Sequence, residues 1–417
     1  MTTTTPPDST ASETTATRVP GTGHTEQTFL VGETVYLRPI QADDAKAATA
    51  WRDTIFPVST ARTEDYIKET IDKQDPFKEI TLALVRKADD VVVGSIYANF
   101  SWIAADFSGH VDPLHGEQGQ AWKAEGLVLV AQWVVSEQHA IGGLCQLPAS
   151  EAIVIDGLTK AGFREVARFR EWFLRDGTRV DKVALEYLNA GWVETLGDPA
   201  ADDLPRAGTG EARPVPEKVS PVDVGDPPAN AMLVGKRVYL RPPTREDVED
   251  VVKYSRRETE TFFDIGRHMP DIEGFADWNE SNQKEAFPRW VRFAVCLREN
   301  DEVIGEVGLF DVDLINRTAE SASFFHRPEY RGGGYGSEAK HLLMEYAFDR
   351  LGLHVIQSWV YFPNTRSAAS LRKQGYTEAG RIHWRFVNEG TWENFVVFDF
   401  LASEWREMPR KDWEAPV

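Results

Sequence analysis

Apolar positions in the second half of the chain follow two alternating rhythms. A short apolar run, Val238 to Leu240, predicts a strand, and Arg245 to about Ser255 predicts a helix. Glu273 to about Glu285 is loosely helical and carries aromatic residues. Arg292–Leu297 and Val303–Phe310 read as a hairpin around the turn formers Glu299, Asn300 and Asp301. Thr318 to His326 predicts a strand that feeds a glycine cluster, Arg331-Gly332-Gly333-Gly334-Tyr335-Gly336. Behind the glycines, apolar residues fall at Ala339, Leu342, Leu343, Tyr346 and Ala347. That is the spacing of one buried helix face. Two further strands follow, the β-branched and aromatic run His354–Tyr361 and the apolar run Phe395–Leu401. Short strands and helices thus alternate along this half.

The first half repeats much of this. Leu30-Val-Gly-Glu-Thr-Val-Tyr-Leu-Arg-Pro39 returns as Leu233-Val-Gly-Lys-Arg-Val-Tyr-Leu-Arg-Pro242, differing at two central positions. Each copy leads into a helix with Asp44 or Asp247 in its first turn, and Thr244 is a fitting N-cap for the second. Later, Leu158–Phe163 aligns with Leu371–Tyr376, Gly177-Thr178 with Gly390-Thr391, and Trp192 with Trp405. Two anchors in the same order mean an internal duplication. The 417 residues therefore divide into a Thr/Pro/Ser-rich tail (1–27), a first domain (28–194), a Pro/Gly/Asp-rich linker (195–231) and a second domain (232–408). Tail and linker hold few large apolar residues, so both are expected to be disordered and mobile.

Composition narrows the function classes. A net charge of −20 argues against a nucleic-acid backbone as partner, and suits a cationic one. Cys145 and Cys296 alone exclude a disulfide scaffold or a cysteine-rich zinc module. His326, His341, His354 and His383 share no metal-ligand spacing, so no metal is expected. No apolar run of ~18 residues is present, so no membrane-spanning helix is expected.

The glycine cluster carries the chemistry. At a strand-to-helix junction, unpartnered helix N–H groups, the helix dipole and missing Cβ atoms cradle a phosphate or pyrophosphate. Arg331 adds a forked cation. Ser337 and Glu338 stand where a Walker loop needs Lys and Ser/Thr, and the glycine spacing is wrong for a dinucleotide fingerprint. Arg331, Gly334 and Gly336 do match the Arg/Gln-x-x-Gly-x-Gly/Ala loop of the GCN5-related N-acetyltransferases (GNAT) position for position. Glu338-Ala339, then Asn364 and Ser367, then Gly375-Tyr376 follow in the order of the branch that acetylates ribosomal-protein N-termini and related amines. The resemblance covers about Leu233 to Trp405.

That resemblance implies an α/β class (an α+β mixed sheet): two tandem acyl-CoA N-acyltransferase folds, each a mixed, mostly antiparallel sheet flanked by helices. It implies acetyl-CoA or another short acyl-CoA as co-substrate, bound by Phe325, His326, Arg331, Gly332, Gly333, Gly334, Tyr335, Gly336 and Asn364. The pantetheine arm would enter a V-shaped slot between the strands at Thr318–His326 and His354–Tyr361. Amine acetylation needs a neutral amine beside the thioester, so a carboxylate base is expected. Glu320 is favoured over Glu306, and Ser367 is the candidate to protonate the thiolate, because Leu371 stands where many relatives have a tyrosine.

The first half departs from the pattern. Gln118-Gly-Gln-Ala-Trp-Lys123 faces the glycine loop, Glu151 faces Asn364, and Val154 faces Ser367. The expectation is a cytoplasmic N-acyltransferase with a catalytic second domain and a non-catalytic first domain. The two halves would pair as an internal pseudo-dimer, in a monomer or homodimer. The acceptor is a primary amine, on a small molecule or a protein N-terminus. The alternative is an acyl-CoA-binding regulator without turnover.

Overall fold

The computed structural model describes residues 28–54, 57–75, 77–100, 104–199, 215–258, 271–283 and 289–411. The tail 1–27, linker residues 200–214 and the end of the segment assigned to 273–285 lie outside them. The chain forms two units. Unit 1 takes in the first half up to Arg168, Lys182–Leu204 and Ile382–Val387; unit 2 takes in Phe169–Asp181, Pro205–Arg381 and Asn388–Val417.

In unit 1 the strands β1 (Leu30–Val31), β2 (Val35–Pro39), β3 (Glu79–Arg86), β4 (Val91–Asn99), β5 (Ala105–Val111) and β6 (Gly142–Pro148) are neighbours in that order. β7 (Arg164–Arg175) follows in the chain, and β8 (Thr178–Leu188) pairs with β6. All of these described pairings are antiparallel except β5 with β6. Helix α1 (Gly116–Ser136) buries Leu127, Val130, Ala131 and Val134 in the core of this unit. Helix α2 (Ala152–Lys160) adds Val154 and Leu158. Inside the same unit, the buried His383 and Glu186 are 2.7 Å apart.

Unit 2 repeats the plan. Its order is β9 (Leu233–Val234), β10 (Val238–Arg241), β11 (Val291–Leu297), β12 (Val303–Asp313), β13 (Thr318–Phe324) and β14 (Val355–Tyr361). β15 (Thr377–Asn388) follows in the chain, and β16 (Thr391–Leu401) pairs with β14. Again one pairing, β13 with β14, is parallel. Helix α3 (Arg245–Ser255) starts as expected: the Thr244 N–H donates to Asp247, whose carboxylate also takes both arms of Arg241 at 2.7 Å. The Arg38–Asp44 pair does the same at the corresponding place in unit 1. Helix α4 (Ile272–Gln283) packs Ala276 against Val248 and Val252 of α3. Helix α5 (Tyr335–Met344) buries Ala339, Leu342 and Leu343, the face read from the sequence. Helix α6 (Thr365–Gln374) closes the plan.

One expectation needs correcting. Residues 215–231 were assigned by composition to a mobile linker, yet they lie along unit 2. The Lys218 N–H donates to Pro409 O and its ammonium to Trp405 O. Val219 N–H donates to His341 Nδ1, and Val222 N–H to Val234 O. Valines at 219, 222 and 224 give this Pro-rich stretch an apolar side, which the composition average hid.

Candidate functional site

The pairing of β13 with β14 covers only Thr318–Glu320 against Val355–Gln357, although both strands continue. Beyond that point they part. Ser321 and Ser358 sit at the apex, where the Ser358 hydroxyl donates to Ser321 O at 2.8 Å. The slot leads into a cavity of about 430 Å³ lined by Glu320, Ser321, Ser358, Asn364, Ser367 and, from α5, Lys340.

At the loop, Gly332 and Gly334 have φ of +86° and +84°, a conformation that side-chain-bearing residues rarely adopt. Gly334 then caps α5, whose first N–H groups lack intrahelical partners. The Tyr335 ring lies 4.4 Å beneath the Arg237 guanidinium, and Arg237 also donates to Gly333 O. The other side of Arg237 meets Glu338, which is 1% exposed and also accepts the Arg237 N–H. Glu338 therefore ties the start of β10 to the loop helix; its role is to hold the cradle in place. Glu125 does the same in unit 1, accepting the Thr34 N–H at 2.9 Å.

Arg331 is held by partners within the protein. Its Nε donates to Phe325 O at 2.8 Å and its guanidinium pairs with Glu258 at 2.6 Å. In this arrangement it shapes the loop from below. The His326 ring is buried near Tyr254 and Phe324, and burial pushes its pKa down to about 4. The Phe325 ring lies under Gly336, 3.2 Å from where a Cβ there would fall.

The two candidate carboxylates have different surroundings. Glu306 is ion-paired with Arg292, both largely buried. Glu320 accepts one N–H on each oxygen, from Gln357 at 2.8 Å and Trp359 at 2.9 Å. These two donors, one on each oxygen, fix the orientation of Glu320 at the cavity wall. Trp359 is itself stacked on Phe395, so it serves both packing and the site. Asn364 Oδ1 accepts the Ser367 N–H at 3.1 Å, which caps α6 and brings both residues to the cavity wall with Leu371.

Residues 237–377 match the family profile described as "Acetyltransferase (GNAT) domain". Residues 237–377 are a GNAT acetyltransferase domain. Among curated relatives, a probable N-acetyltransferase, YjcK, of Bacillus subtilis (strain 168) is 27% identical over 178 residues, 41% of this chain and 97% of its own length. The spermidine N(1)-acetyltransferase of Escherichia coli (strain K12) is 26% identical over 161 residues, 38% of this chain and 83% of its own. Among solved structures, spermidine N-acetyltransferase from Vibrio cholerae in complex with CoA and spermine is 21% identical, covering 41% of this chain and 99% of its own, with a TM-score of 0.37. The chain is an acyl-CoA-dependent N-acetyltransferase.

Unit 1 has a continuous helix where unit 2 has the glycine loop. Gln118 to Lys123, aligned with the glycine loop, lie inside the 21-residue helix α1, whereas α5 starts only at Tyr335. With Ala121 in place of Gly334, the left-handed turn is disfavoured and the helix runs on through the loop. Lys123 and Glu151, aligned with Gly336 and Asn364, form an ion pair at 2.6 Å with the lysine 9% exposed. Sequence alone marked each as a defect; only the fold shows that each answers the other.

Lys340 escaped the sequence reading. It is 2% exposed, and burial pushes its pKa down to about 7 although the Glu320 charge pulls the other way. The signal was present: a lysine among the apolar positions of α5, where unit 1 has Leu127. Because the folded pKa lies below 10.5, the unfolded chain binds more protons between about pH 7 and 10.5. The Lys340 penalty on stability is therefore full below about pH 7 and fades as pH rises through that window. Lys340→Leu should raise stability at pH 7 by about 2 kcal/mol or more and flatten its rise toward pH 10. Denaturant titrations at pH 6, 7.5 and 9 check this; a variant less stable than the parent at pH 7 would refute it.

Proposed function

We propose that the second domain, residues 232–408, moves an acetyl or other short acyl group from acyl-CoA to a primary amine by direct attack in a ternary complex, and that the first domain is a non-catalytic copy. The observation that carries this reading is the cavity at the parted strands, which joins Glu320, Asn364 and Ser367 beside a helix opened by Gly332 and Gly334. Acyl-CoA supplies the activated thioester. The N–H groups that open α5 would take its pyrophosphate, and Asn364 the pantetheine amide. Glu320 would accept the proton of the acceptor ammonium, directly or through water, and Ser367 would pass a proton to the departing thiolate. Glu320 at the cavity wall suits a cationic acceptor, and spermidine is the acceptor named for a relative. Placement in the cytoplasm fits a chain whose described helices include none long and apolar enough to cross a membrane.

The unequal domains give a direct test. Calorimetric titration of the full chain should give one coenzyme A per chain. Two sites per chain would remove the non-catalytic assignment of the first domain. Release of free thiol from acetyl-CoA in the presence of spermidine or an N-terminal peptide would establish turnover. Tight binding without turnover across such amines would favour a regulator.

A further inference from the structure

Two cations line the cavity among the described residues, one paired with a carboxylate and one not. Arg292 is paired with Glu306. In unit 1, Lys123 is paired with Glu151. Outside the cavity, the buried Lys218 donates to Trp405 O. Lys340 lines the cavity, yet no described carboxylate forms an ion pair with it; the Glu320 charge acts on it from beyond ion-pair distance, and the Glu320 oxygens each take an N–H, from Gln357 and Trp359. A buried ammonium without an anion is costly, several kcal/mol even after relaxation. Burial at no functional gain would favour an apolar residue, and the duplicated copy has one, Leu127.

The cavity that Lys340 lines also carries hydroxyls, where an acetyl methyl would ask for an apolar wall. Ser321 and Ser358 stand at the apex, and the Tyr376 hydroxyl meets the Ser321 hydroxyl at 2.7 Å. Hydroxyls and an ammonium together form a carboxylate-binding set. Resting on the acyl-CoA reading above, we propose that the slot takes an acyl chain ending in a carboxylate, of the succinyl type, with Lys340 pairing the terminal carboxylate at the floor.

The transfer itself is unaltered. The amine nitrogen forms a bond to the thioester carbonyl carbon, the carbon–sulfur bond breaks, and the proton lost by the amine ends on the coenzyme A thiolate. The terminal carboxylate and Lys340 keep their charges throughout. A bound carboxylate would raise the Lys340 pKa back toward the ordinary lysine range. Acyl choice is thus set by charge at the floor, and a neutral chain of equal length would leave the ammonium unpaired.

The test is calorimetry of the full chain with coenzyme A, acetyl-CoA, succinyl-CoA and the neutral, similarly long butyryl-CoA. Succinyl-CoA is expected to bind at least tenfold more tightly than butyryl-CoA, and Lys340→Met to abolish or invert that ratio. Equal or tighter binding of butyryl-CoA by the parent protein overturns the proposal, as does a succinyl preference that survives Lys340→Met. Should coenzyme A itself fail to bind, the cofactor reading falls and this one with it. Binding of coenzyme A with no preference among acyl groups removes only this one. A Lys340→Met variant whose sole change is a displaced pH profile with acetyl-CoA would make Lys340 a proton acceptor instead, and also overturns the proposal.

Discussion

Gly336→Lys should lower coenzyme A affinity by 100-fold or more, about 3 kcal/mol, in a chain that remains folded. The substitution places at the head of α5 the residue that the first domain carries at Lys123. A Cβ at Gly336 already lies 3.2 Å from the Phe325 ring, so the side chain has to leave toward the slot. There it competes with the ligand for the space between α5 and α6. Adding Asn364→Glu should not restore binding. It should, however, restore thermal stability lost by the single variant, because the new carboxylate can pair with the lysine as Glu151 does with Lys123. A coupling of about 1–3 kcal/mol in the double-mutant cycle is expected. Coenzyme A affinity unchanged in a folded Gly336→Lys variant would show that this loop does not hold the cofactor.

What the sequence made legible follows from where the physics is local. The helix face at Ala339, Leu342 and Leu343, the Thr244–Asp247 helix start and the hairpin turn at Asn300–Asp301 depend on neighbours a few residues away, and all are found. The duplication was legible as well, because its two anchors kept their words. Pairing across the fold was not. Nothing within a few residues of Lys123 indicates Glu151, and nothing near Arg331 indicates Glu258. The same limit hid the docking of residues 215–231, whose valines gain a partner only once unit 2 is assembled. Lys340 was missed for another reason: the periodicity around it is apolar, and an apolar template has no place for a charge inside its face.

Glu320→Gln should lower kcat by about 10²- to 10⁴-fold, the range for loss of a positioned general base. The amide keeps the shape of the carboxylate and can retain a hydrogen bond with Gln357 or Trp359, so the slot should stay formed. KM for acyl-CoA is therefore expected to stay within about threefold, because Glu320 acts on the amine and not on the thioester. Glu306 should behave differently. Glu306→Gln leaves Arg292 without its ion pair, so its effect should fall on acceptor binding and stability. The pH profile separates loss of a base from loss of position. An acceptor amine with an ordinary pKa near ~10 gains free base about tenfold per pH unit below that value. Without Glu320 to take the proton, the rate of the variant should follow that fraction, so its deficit shrinks steadily from pH 7 toward pH 10. A deficit that stays constant over this range would assign Glu320 to positioning, and one smaller than about threefold at pH 7 would remove it from the proton path altogether.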